Sequence, residues 1–307
     1  MAARPRTLPA AIAPVLVGSA AADYQMHQCP HPAQPAHGYV LVFCDASSFR
    51  WLAFIAALVG SIFIQIGTNL ANDYSDARRG ADAADRLGPV RVTSSGLVAP
   101  RRVLVATWLA FGVAVAAGIY LATVAGWVII AVGAASILAG VLYTGGPRPY
   151  GYAGLGEVFV FVFFGLVAVN GAYYVQREEF DWLPFGLSLA IGCLATAILV
   201  VNNVRDIDTD RRAGKRTVAV RLGRDGARGL YIGLLVAAAI ALVLTPAFDD
   251  GPWWPLLGLA AAPMAIRPGR AVLSRTDGPA LNGALAGTGA LLGVVSVLVS
   301  TGLLIGA

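Results

Sequence analysis

Long apolar segments recur along the whole chain and limit its possible folds more than any other feature of the sequence. Most contain about 20 residues, the length at which a helix crosses a hydrocarbon core of roughly 30 Å. Lipid offers no hydrogen bonds to an exposed backbone, so such segments are typical of helices. We recognise nine of them, at approximately 7–24, 51–74, 101–122, 124–143, 154–175, 182–204, 228–247, 253–267 and 279–305.

The pattern therefore predicts an all-α, multi-pass membrane bundle of about nine transmembrane helices. Of the 307 residues, 57% are hydrophobic and 13% are charged, and the mean hydropathy is +0.71. Ordinary soluble domains contain about 25% charged residues, so a water-soluble fold is excluded. We expect a single domain over 1–307, made of two similar halves, roughly 1–150 and 151–307.

The distribution of basic residues predicts the orientation of the bundle. If the N-terminus is cytoplasmic, 20 of the 22 Lys and Arg lie on the cytoplasmic side, and only Arg50 and Arg177 lie opposite. Positive loops stay in the cytoplasm, so we predict an N-in, C-out protein of the cell (inner or cytoplasmic) membrane. The net charge of +5 is then explained by orientation and anionic ligands, and nucleic-acid binding is not expected.

The predicted outer loop, 25–49, has an unusual composition. It holds all three histidines, together with Cys29 and Cys44, among several prolines. A metal site or a Cys29–Cys44 disulfide would use these residues, but an irregular, proline-rich external loop accounts for them more simply.

Two predicted cytoplasmic connections, 75–102 and 205–228, are long and dense in charge. Because most other connections are short, we expect the chemistry of the chain to lie at these two. We hypothesise that they close over a site as a lid and exclude water from it.

The helix that leads into the first connection ends in a polar stripe. Asn69, Asn72, Asp73 and Asp76 are spaced 3, 1 and 3 residues apart, so they share one face, which Gln65 extends by a turn. Polar side chains on a membrane helix avoid lipid. The stripe therefore predicts a face turned towards a protein interior or a water-filled cavity.

The sixth predicted span ends in a similar stripe. Asn202 and Asn203 precede Asp206 and Asp210 at spacings of 3 and 4 residues, again on one face. Asp208 lies about 200° around the helix from Asp206. We expect Asp208 to point away from the others.

The two stripes also match in spacing, with N-x3-D-x3-G at 72–80 and D-x3-D-x3-G at 206–214. Two acidic helix ends on the same membrane side predict one site shared by two halves of the bundle. Carboxylate and amide oxygens suit Mg²⁺ that also binds water and phosphate oxygens. Solvated loop charges or a cation transport site would also use such acids, although nearby basic residues would oppose the passage of a cation.

Basic residues beside the second stripe indicate that the cation meets a polyanion. Lys215 is the only lysine of the chain, and an ammonium approaches a phosphate as a point charge. Arg205 and Arg216 are further phosphate candidates, and Arg78 lies among the acids of the first connection. A single lysine can also arise by chance, in which case it has no special role.

These residues resemble the UbiA superfamily of intramembrane prenyltransferases over nearly the whole chain. The first superfamily motif, N-x-x-x-D, maps onto Asn72 and Asp76, and the second, D-x-x-x-D, onto Asp206 and Asp210. Members that prenylate 1,4-dihydroxy-2-naphthoate in menaquinone biosynthesis are the most similar, judged by the strings NLANDYSDARRGADAADRLGPVR, YTGGPRPYGYAGLGEVFVFVFFG and NNVRDIDTDRRAGKRTVAVRLG.

The resemblance implies a Mg²⁺-dependent enzyme that transfers a polyprenyl group from polyprenyl diphosphate to 1,4-dihydroxy-2-naphthoate, releasing CO2 and diphosphate and giving demethylmenaquinol. It implies that the tail of the donor lies between helices in the bilayer. Other aromatic acceptors, 4-hydroxybenzoate, homogentisate or a tetrapyrrole, are alternatives within the family. An ion transporter is the alternative outside it.

The resemblance also implies roles for individual residues. The implied metal ligands are Asn72, Asp76, Asp206 and Asp210, assisted by Asp73 and Asp82. The implied diphosphate-binding residues are Arg205, Lys215, Arg216 and Arg78. The residues implied to act in catalysis are Asp76, Asp206, Asp210 and Lys215.

Candidates for binding the aromatic acceptor are polar and aromatic residues near the same membrane face: Gln65, Asn69, Tyr143, Arg148, Tyr150, Glu157, Asn202 and Asn203. Interfacial anchoring explains Tyr143, Tyr150 and Arg148 nearly as well. Glu157, at the edge of an apolar helix, needs a partner, for which Arg148 or an acceptor hydroxyl is proposed. Asn170 and Asn282 are expected to form interhelical hydrogen bonds.

Overall fold

The computed structural model describes residues 4, 7–28, 48–80, 87–88, 91–247 and 251–307. The regular structure of these residues is helical throughout, which confirms the all-α prediction. The longer helices are α1 (Pro9–His27), α2 (Trp51–Arg78), α3 (Pro100–Ala125), α4 (Val128–Leu142), α5 (Gly156–Arg177), α6 (Trp182–Arg212), α7 (Val218–Ala247), α8 (Trp254–Ser274) and α9 (Gly278–Gly306).

Seven helices of the described chain, α2, α3 and α5 to α9, are long and apolar enough to cross a membrane. Helix α4 has 15 residues and is shorter, while α1 has 19 residues but is not in this group. Each predicted apolar segment overlaps one of the helices. The multi-pass membrane bundle is thus confirmed, whereas the number of nine spans, the N-in orientation and the division into halves stay predictions.

Helix α6 forms the centre of the bundle. In its most apolar stretch 83% of the residues are buried, against 17% in the corresponding stretch of α2. It packs against α1, α5, α7 and α9. Where it crosses α5, a Cβ on Gly165 would lie 2.6 Å from the Cα of Gly192, so the close approach of the two helices requires glycine. The acidic residues at the end of α6 therefore belong to the most buried of the seven candidate spans in the described chain.

The connection 205–228 is much shorter than predicted. Helix α6 continues to Arg212, and α7 begins at Val218 after Thr217, whose hydroxyl caps it by accepting the N–H of Val220 at 3.3 Å. The charged residues do not interrupt α6, because some are paired in the core and others are solvated on its outer face. Residues 213–217 form a turn, and Gly223, with a φ of 73°, interrupts the helix again after 218–222. The connection is therefore partly helical, and its role as a lid stays a prediction.

Candidate active site

The ends of α2 and α6 open into one cavity of about 350 Å³. Its wall is polar where these helices end and apolar further along them, at Ala57, Ile64 and Ala195. The predicted site residues that line it are Gln65, Asn69, Asn72, Asp76, Tyr143, Tyr150, Asn202, Asn203, Asp206, Asp210 and Lys215. The structure thus brings the two predicted motifs to a single chamber.

Both motifs end their helices in the same way. Gly80 and Gly214 have left-handed φ angles of 63° and 72°, which glycine adopts without a Cβ clash and which commonly close a helix. Beyond Gly214, the N–H of Lys215 donates to the carbonyl of Asp210 at 2.9 Å. This turn explains the glycine four residues after each aspartate and brings Lys215 back over the cavity.

Asp76 is the most enclosed acid of the site, with 1% of its side chain exposed. Its Oδ2 accepts a hydrogen bond from a terminal nitrogen of Arg91 at 2.8 Å, and its Oδ1 accepts one from the Tyr152 hydroxyl at 2.7 Å. The Nζ atom of Lys215 lies 3.5 Å from the same Oδ1. The first motif is therefore held by residues from three later segments of the chain.

Asn72 and Asp73, about one helical turn before Asp76 on α2, have different surroundings. Asn72 lines the cavity, and its Oδ1 accepts a hydrogen bond from the Thr144 hydroxyl at 2.8 Å. Asp73 accepts the backbone N–H groups of Val92 and Thr93, both at 3.1 Å, and does not line the cavity. Asp73 thus fastens the first connection to α2, and its role as an assisting metal ligand stays a prediction that this geometry does not favour.

Asp206 is paired with its neighbour Arg205 inside the core. The Nε of Arg205 lies 2.8 Å from Oδ1 of Asp206, and a terminal nitrogen lies 2.6 Å from Oδ2. Arg205 also donates to Asn282 at 2.7 Å and to Asn202 at 2.8 Å. Its side chain is 1% exposed and does not line the cavity. This geometry favours a role for Arg205 in orienting Asp206 and does not favour its predicted role in binding diphosphate.

Lys215 connects the two motifs. Its Nζ lies 3.5 Å from Oδ1 of Asp76 and 4.0 Å from Oδ1 of Asp210, on the cavity wall. It also lies 4.6 Å from the centre of the Tyr152 ring. A positive charge in this position reduces the repulsion between the two carboxylates.

Several predicted site residues lie away from the cavity. Arg78, Arg148 and Arg216 are exposed, and Glu157 is buried behind the wall. The carboxylate of Glu157 accepts a hydrogen bond from Asn203 at 2.9 Å. Its protein partner is thus Asn203, and the prediction of Arg148 was wrong, because the arginine lies on a solvated turn outside the wall.

Other predictions about polar residues have mixed outcomes. Asp208 points away from Asp206 as expected, 65% exposed and paired with Arg224 at 2.9 Å. Asn282 forms the expected interhelical bonds, but the amide of Asn170 donates to the Leu166 carbonyl of its own helix. The predictions outside the described residues are those for Asp82, Cys29 and Cys44.

An aromatic wall borders the acidic end of the cavity. The rings of Tyr150 and Phe159 stack with centroids 3.9 Å apart, and Phe163 continues the stack at 6.0 Å. The ring of Tyr143 meets Tyr150 edge-on at 5.4 Å. Burial raises the pKa of Tyr150, so its hydroxyl remains a neutral donor. Phe163 belongs to a π-helical stretch of α5, an irregularity that is frequent at functional sites.

Gln65 and Asn69 contact the start of the chain. Their side-chain amides lie 3.1 Å and 3.4 Å from the hydroxyl oxygen of Thr7, which lines the same cavity. The N-terminal segment thus closes one side of the polar end. The predicted role of both amides in binding an acceptor stays a prediction.

Sequence reasoning missed Arg91 and Tyr152, which both line the cavity and contact Asp76. Arg91 looked like one of several loop arginines, and only the fold shows that it is buried against α2. Tyr152 follows Tyr150 by two residues in a short 3₁₀ helix, Tyr150–Ala153. In the sequence, Tyr152 differs from its neighbours only as the third tyrosine of the string YTGGPRPYGYAGLGEVFVFVFFG.

The donor set of the cavity fits a hard divalent cation that brings some of its own ligands. In the part of the chain that the structure describes, no group of three or more His, Cys, Asp or Glu is arranged to hold a metal ion. Mg²⁺, however, is usually bound by one or two carboxylates, several waters and substrate phosphates. The separate carboxylates of the two motifs match that mode of binding.

Comparison with known sequences agrees with this geometry. A sequence model of the UbiA prenyltransferase family matches residues 35–292. The 1,4-dihydroxy-2-naphthoate octaprenyltransferase of Mycobacterium tuberculosis is 44% identical over 304 residues, covering 99% of this chain and 96% of the relative. The enzyme of the same name from Escherichia coli is 37% identical over 299 residues, covering 94% and 90%.

Solved structures share the fold at low sequence identity. A UbiA homologue from Aeropyrum pernix superposes with a TM-score of 0.63 at 14% identity, over 97% of both chains. A UbiA homologue from Archaeoglobus fulgidus, bound to GPP and Mg²⁺, gives a TM-score of 0.60 at 12% identity, over 97% of this chain and 98% of that one.

Proposed function

The chain belongs to the UbiA prenyltransferase family, and on that premise we propose that it transfers a polyprenyl group from polyprenyl diphosphate to 1,4-dihydroxy-2-naphthoate. The reaction releases diphosphate and CO2 and yields demethylmenaquinol, a step of menaquinone biosynthesis. One observation carries the proposal: the two acidic motifs and Lys215 meet at the polar end of a cavity whose wall further along the helices is mainly apolar. Relatives named for this reaction match nearly the whole chain, which supports the same acceptor here.

Mg²⁺ is the proposed cofactor. When bound, it would neutralise the diphosphate and stabilise it as a leaving group. The residues that would hold it are those of the two motifs that line the cavity, namely Asn72, Asp76, Asp206 and Asp210. The Mg²⁺ in the Archaeoglobus fulgidus homologue structure supports metal dependence in the family.

The fixed positive charges of the chain would assist the departure of diphosphate. Lys215 and Arg91 line the cavity beside the two motifs. As the C–O bond of the prenyl diphosphate breaks, its electron pair leaves with the diphosphate, where negative charge grows. Groups that face this charge stabilise the transition state more than the ground state, and this difference accelerates the reaction.

The apolar and aromatic walls would hold the two organic partners. The prenyl tail would lie along the apolar part of the cavity, and the acceptor ring would stack near Tyr143 and Tyr150. The allylic carbon then forms a C–C bond with the electron-rich ring, and the carboxylate of the acceptor leaves as CO2. Exclusion of water is essential, because water would otherwise capture the allylic cation.

The protein is a multi-span membrane protein of this family, and we propose that the polar end of the cavity faces the cytoplasm of the cell membrane. The asymmetry of Lys and Arg between the two sides supports this orientation. The prenyl donor would then enter from the bilayer, and the charged acceptor from the cytoplasm.

The purified protein tests the proposal directly. In detergent with Mg²⁺, farnesyl diphosphate and 1,4-dihydroxy-2-naphthoate, we expect release of pyrophosphate and CO2 and formation of a prenylated quinol. Turnover with 4-hydroxybenzoate or homogentisate but not with the naphthoate would show that the proposed acceptor is wrong. No prenylated product with any aromatic acceptor would contradict the enzyme class and favour the transport alternative.

A further inference from the structure

Tyr152 lies where the two acidic motifs meet. Its hydroxyl donates to Oδ1 of Asp76 at 2.7 Å. The face of its ring receives the ammonium of Lys215, whose Nζ lies 4.6 Å from the ring centre. Tyr152 also lines the cavity. Its side chain therefore contacts both the Asp76 carboxylate of the first motif and the Lys215 ammonium, which follows the second motif.

Backbone contacts hold Tyr152 in this place. Its carbonyl accepts the N–H of Arg216 at 2.8 Å. A terminal nitrogen of Arg221 donates to the neighbouring carbonyl of Ala153 at 2.7 Å. The turn between α4 and α5 is thereby fastened to the turn between α6 and α7, which carries Lys215, and the two turns form one unit beside Asp76.

We propose that Tyr152 is a positioning residue for diphosphate ionisation and that it acts through Asp76 and Lys215. The phenol orients the Asp76 carboxylate through the hydrogen bond to its Oδ1, and a carboxylate oxygen can accept from more than one partner. The electron-rich face of the ring holds the Lys215 ammonium at the cavity wall. The inference rests on the proposed function, because it requires a prenyl diphosphate at this end of the cavity, but it does not depend on the identity of the aromatic acceptor.

The two parts of the side chain can be separated by substitution. The probe is farnesyl thiodiphosphate, a non-reactive analogue, with Mg²⁺ and the full-length protein in detergent. Tyr152→Phe keeps the ring and removes a hydrogen bond to a charged group, so we expect analogue binding to weaken roughly tenfold. Tyr152→Leu also removes the ring that holds Lys215, and we expect a loss of roughly 100-fold.

Tyr231→Phe is the matched control. Its hydroxyl is buried and bonded to Thr288 between α7 and α9, away from the cavity. We expect this variant to bind the analogue like the wild type. The same order should hold for turnover, with kcat about tenfold lower in Tyr152→Phe and the KM for the acceptor unchanged.

A double-mutant cycle distinguishes positioning from a general effect on packing. In an Asp76→Asn background, Tyr152→Phe should weaken binding by less than about twofold further, because the carboxylate through which the hydroxyl acts is absent. Fully additive losses, or wild-type affinity in the Tyr152→Phe single variant, would overturn the proposal.

The binding assay also separates this proposal from the proposed function. A wild-type protein that binds the analogue but forms no product with 1,4-dihydroxy-2-naphthoate contradicts the proposed acceptor, while the affinities of the variants still decide the role of Tyr152. A wild-type protein that does not bind the analogue overturns both proposals.

Discussion

The two acidic motifs have nearly the same spacing in the sequence but are held in opposite ways. Asp76, on α2, is contacted by Arg91, Tyr152 and Lys215, which come from three other segments of the chain. Asp206 is paired with the adjacent Arg205 on α6, the most buried helix among the candidate spans. The position of the first carboxylate thus depends on turns that close over it, whereas that of the second depends on the core.

From this difference we infer that the two motifs contribute to the diphosphate site in different ways. Fixed charges stabilise a transition state well because they need not reorganise during the reaction. We expect the second motif to supply the rigid side of the diphosphate site and the first to supply the adjustable side. Substitutions in the two motifs should therefore affect activity similarly and stability differently.

Asp206→Asn has the largest expected effect. Arg205 would remain buried without its carboxylate, and such a broken pair costs about 3–5 kcal/mol of stability. We expect a strongly lowered melting temperature and a loss of prenyl transfer on the order of 1000-fold, since a charge facing the diphosphate site is also removed. Both are measured on the detergent-purified protein by thermal unfolding and by pyrophosphate release.

Asp208→Asn is the control for that substitution, because Asp208 lies on the exposed side of the same helix. It should retain wild-type stability and turnover. Wild-type stability in Asp206→Asn would remove the basis for calling the second motif rigid.

Asp76→Asn should lose a similar fraction of activity but less stability, about 1–3 kcal/mol. Arg91 and Lys215 lie on the cavity wall, where water or a phosphate can replace the lost carboxylate. The ratio of turnover loss to melting-temperature loss is compared with that of Asp206→Asn. Equal destabilisation in the two variants would abolish the contrast between the motifs.

Asp73→Asn tests whether the first connection orders the adjustable side. A carboxamide has one oxygen to accept the N–H groups of Val92 and Thr93 in place of two. We expect faster hydrogen exchange at both amides and a roughly tenfold loss of turnover. Asp23→Asn, on α1 outside the cavity lining, is the control. Unchanged exchange at Val92 and Thr93 would show that Asp73 does not anchor this segment.

Asn282→Ala has the smallest expected effect. Asn282 accepts from Arg205 and donates to the Leu87 carbonyl at 3.0 Å, so it links the second motif to the first connection. Because Arg205 would be oriented less well, we expect the activation free energy to rise by about 1 kcal/mol, which lowers turnover roughly fivefold. Asn282→Asp keeps an acceptor for Arg205 and should stay closer to wild type. Equal losses in the two variants would place the effect at Leu87 and not at Arg205.

The fold class and the two motifs could be predicted because both depend on regular spacing. Membrane helices are recognisable by length and hydropathy, and a polar stripe such as Asn69, Asn72 and Asp76 is recognisable by helical periodicity. The glycines after each motif are local features as well, since each closes its own helix. These features need no knowledge of distant contacts.

The partners of the charged residues could not be predicted, because they depend on packing between distant segments. Arg205 was expected to bind phosphate, yet it is buried against its own neighbour Asp206, since α6 lies at the centre of the bundle. Tyr152 comes to Asp76 only because two turns lie side by side. Charge type indicates what a residue can bind, and burial decides which partner it has.

The most direct test of a shared diphosphate site is a structure of the protein with farnesyl thiodiphosphate and Mn²⁺ in place of Mg²⁺, in which anomalous scattering locates the metal. We predict metal ions bound by Asp76 of the first motif and by Asp206 or Asp210 of the second, with the diphosphate between them and Lys215 in contact with it. A diphosphate held by one motif alone, or metal ions located away from both, would contradict the claim that the two motifs form one site.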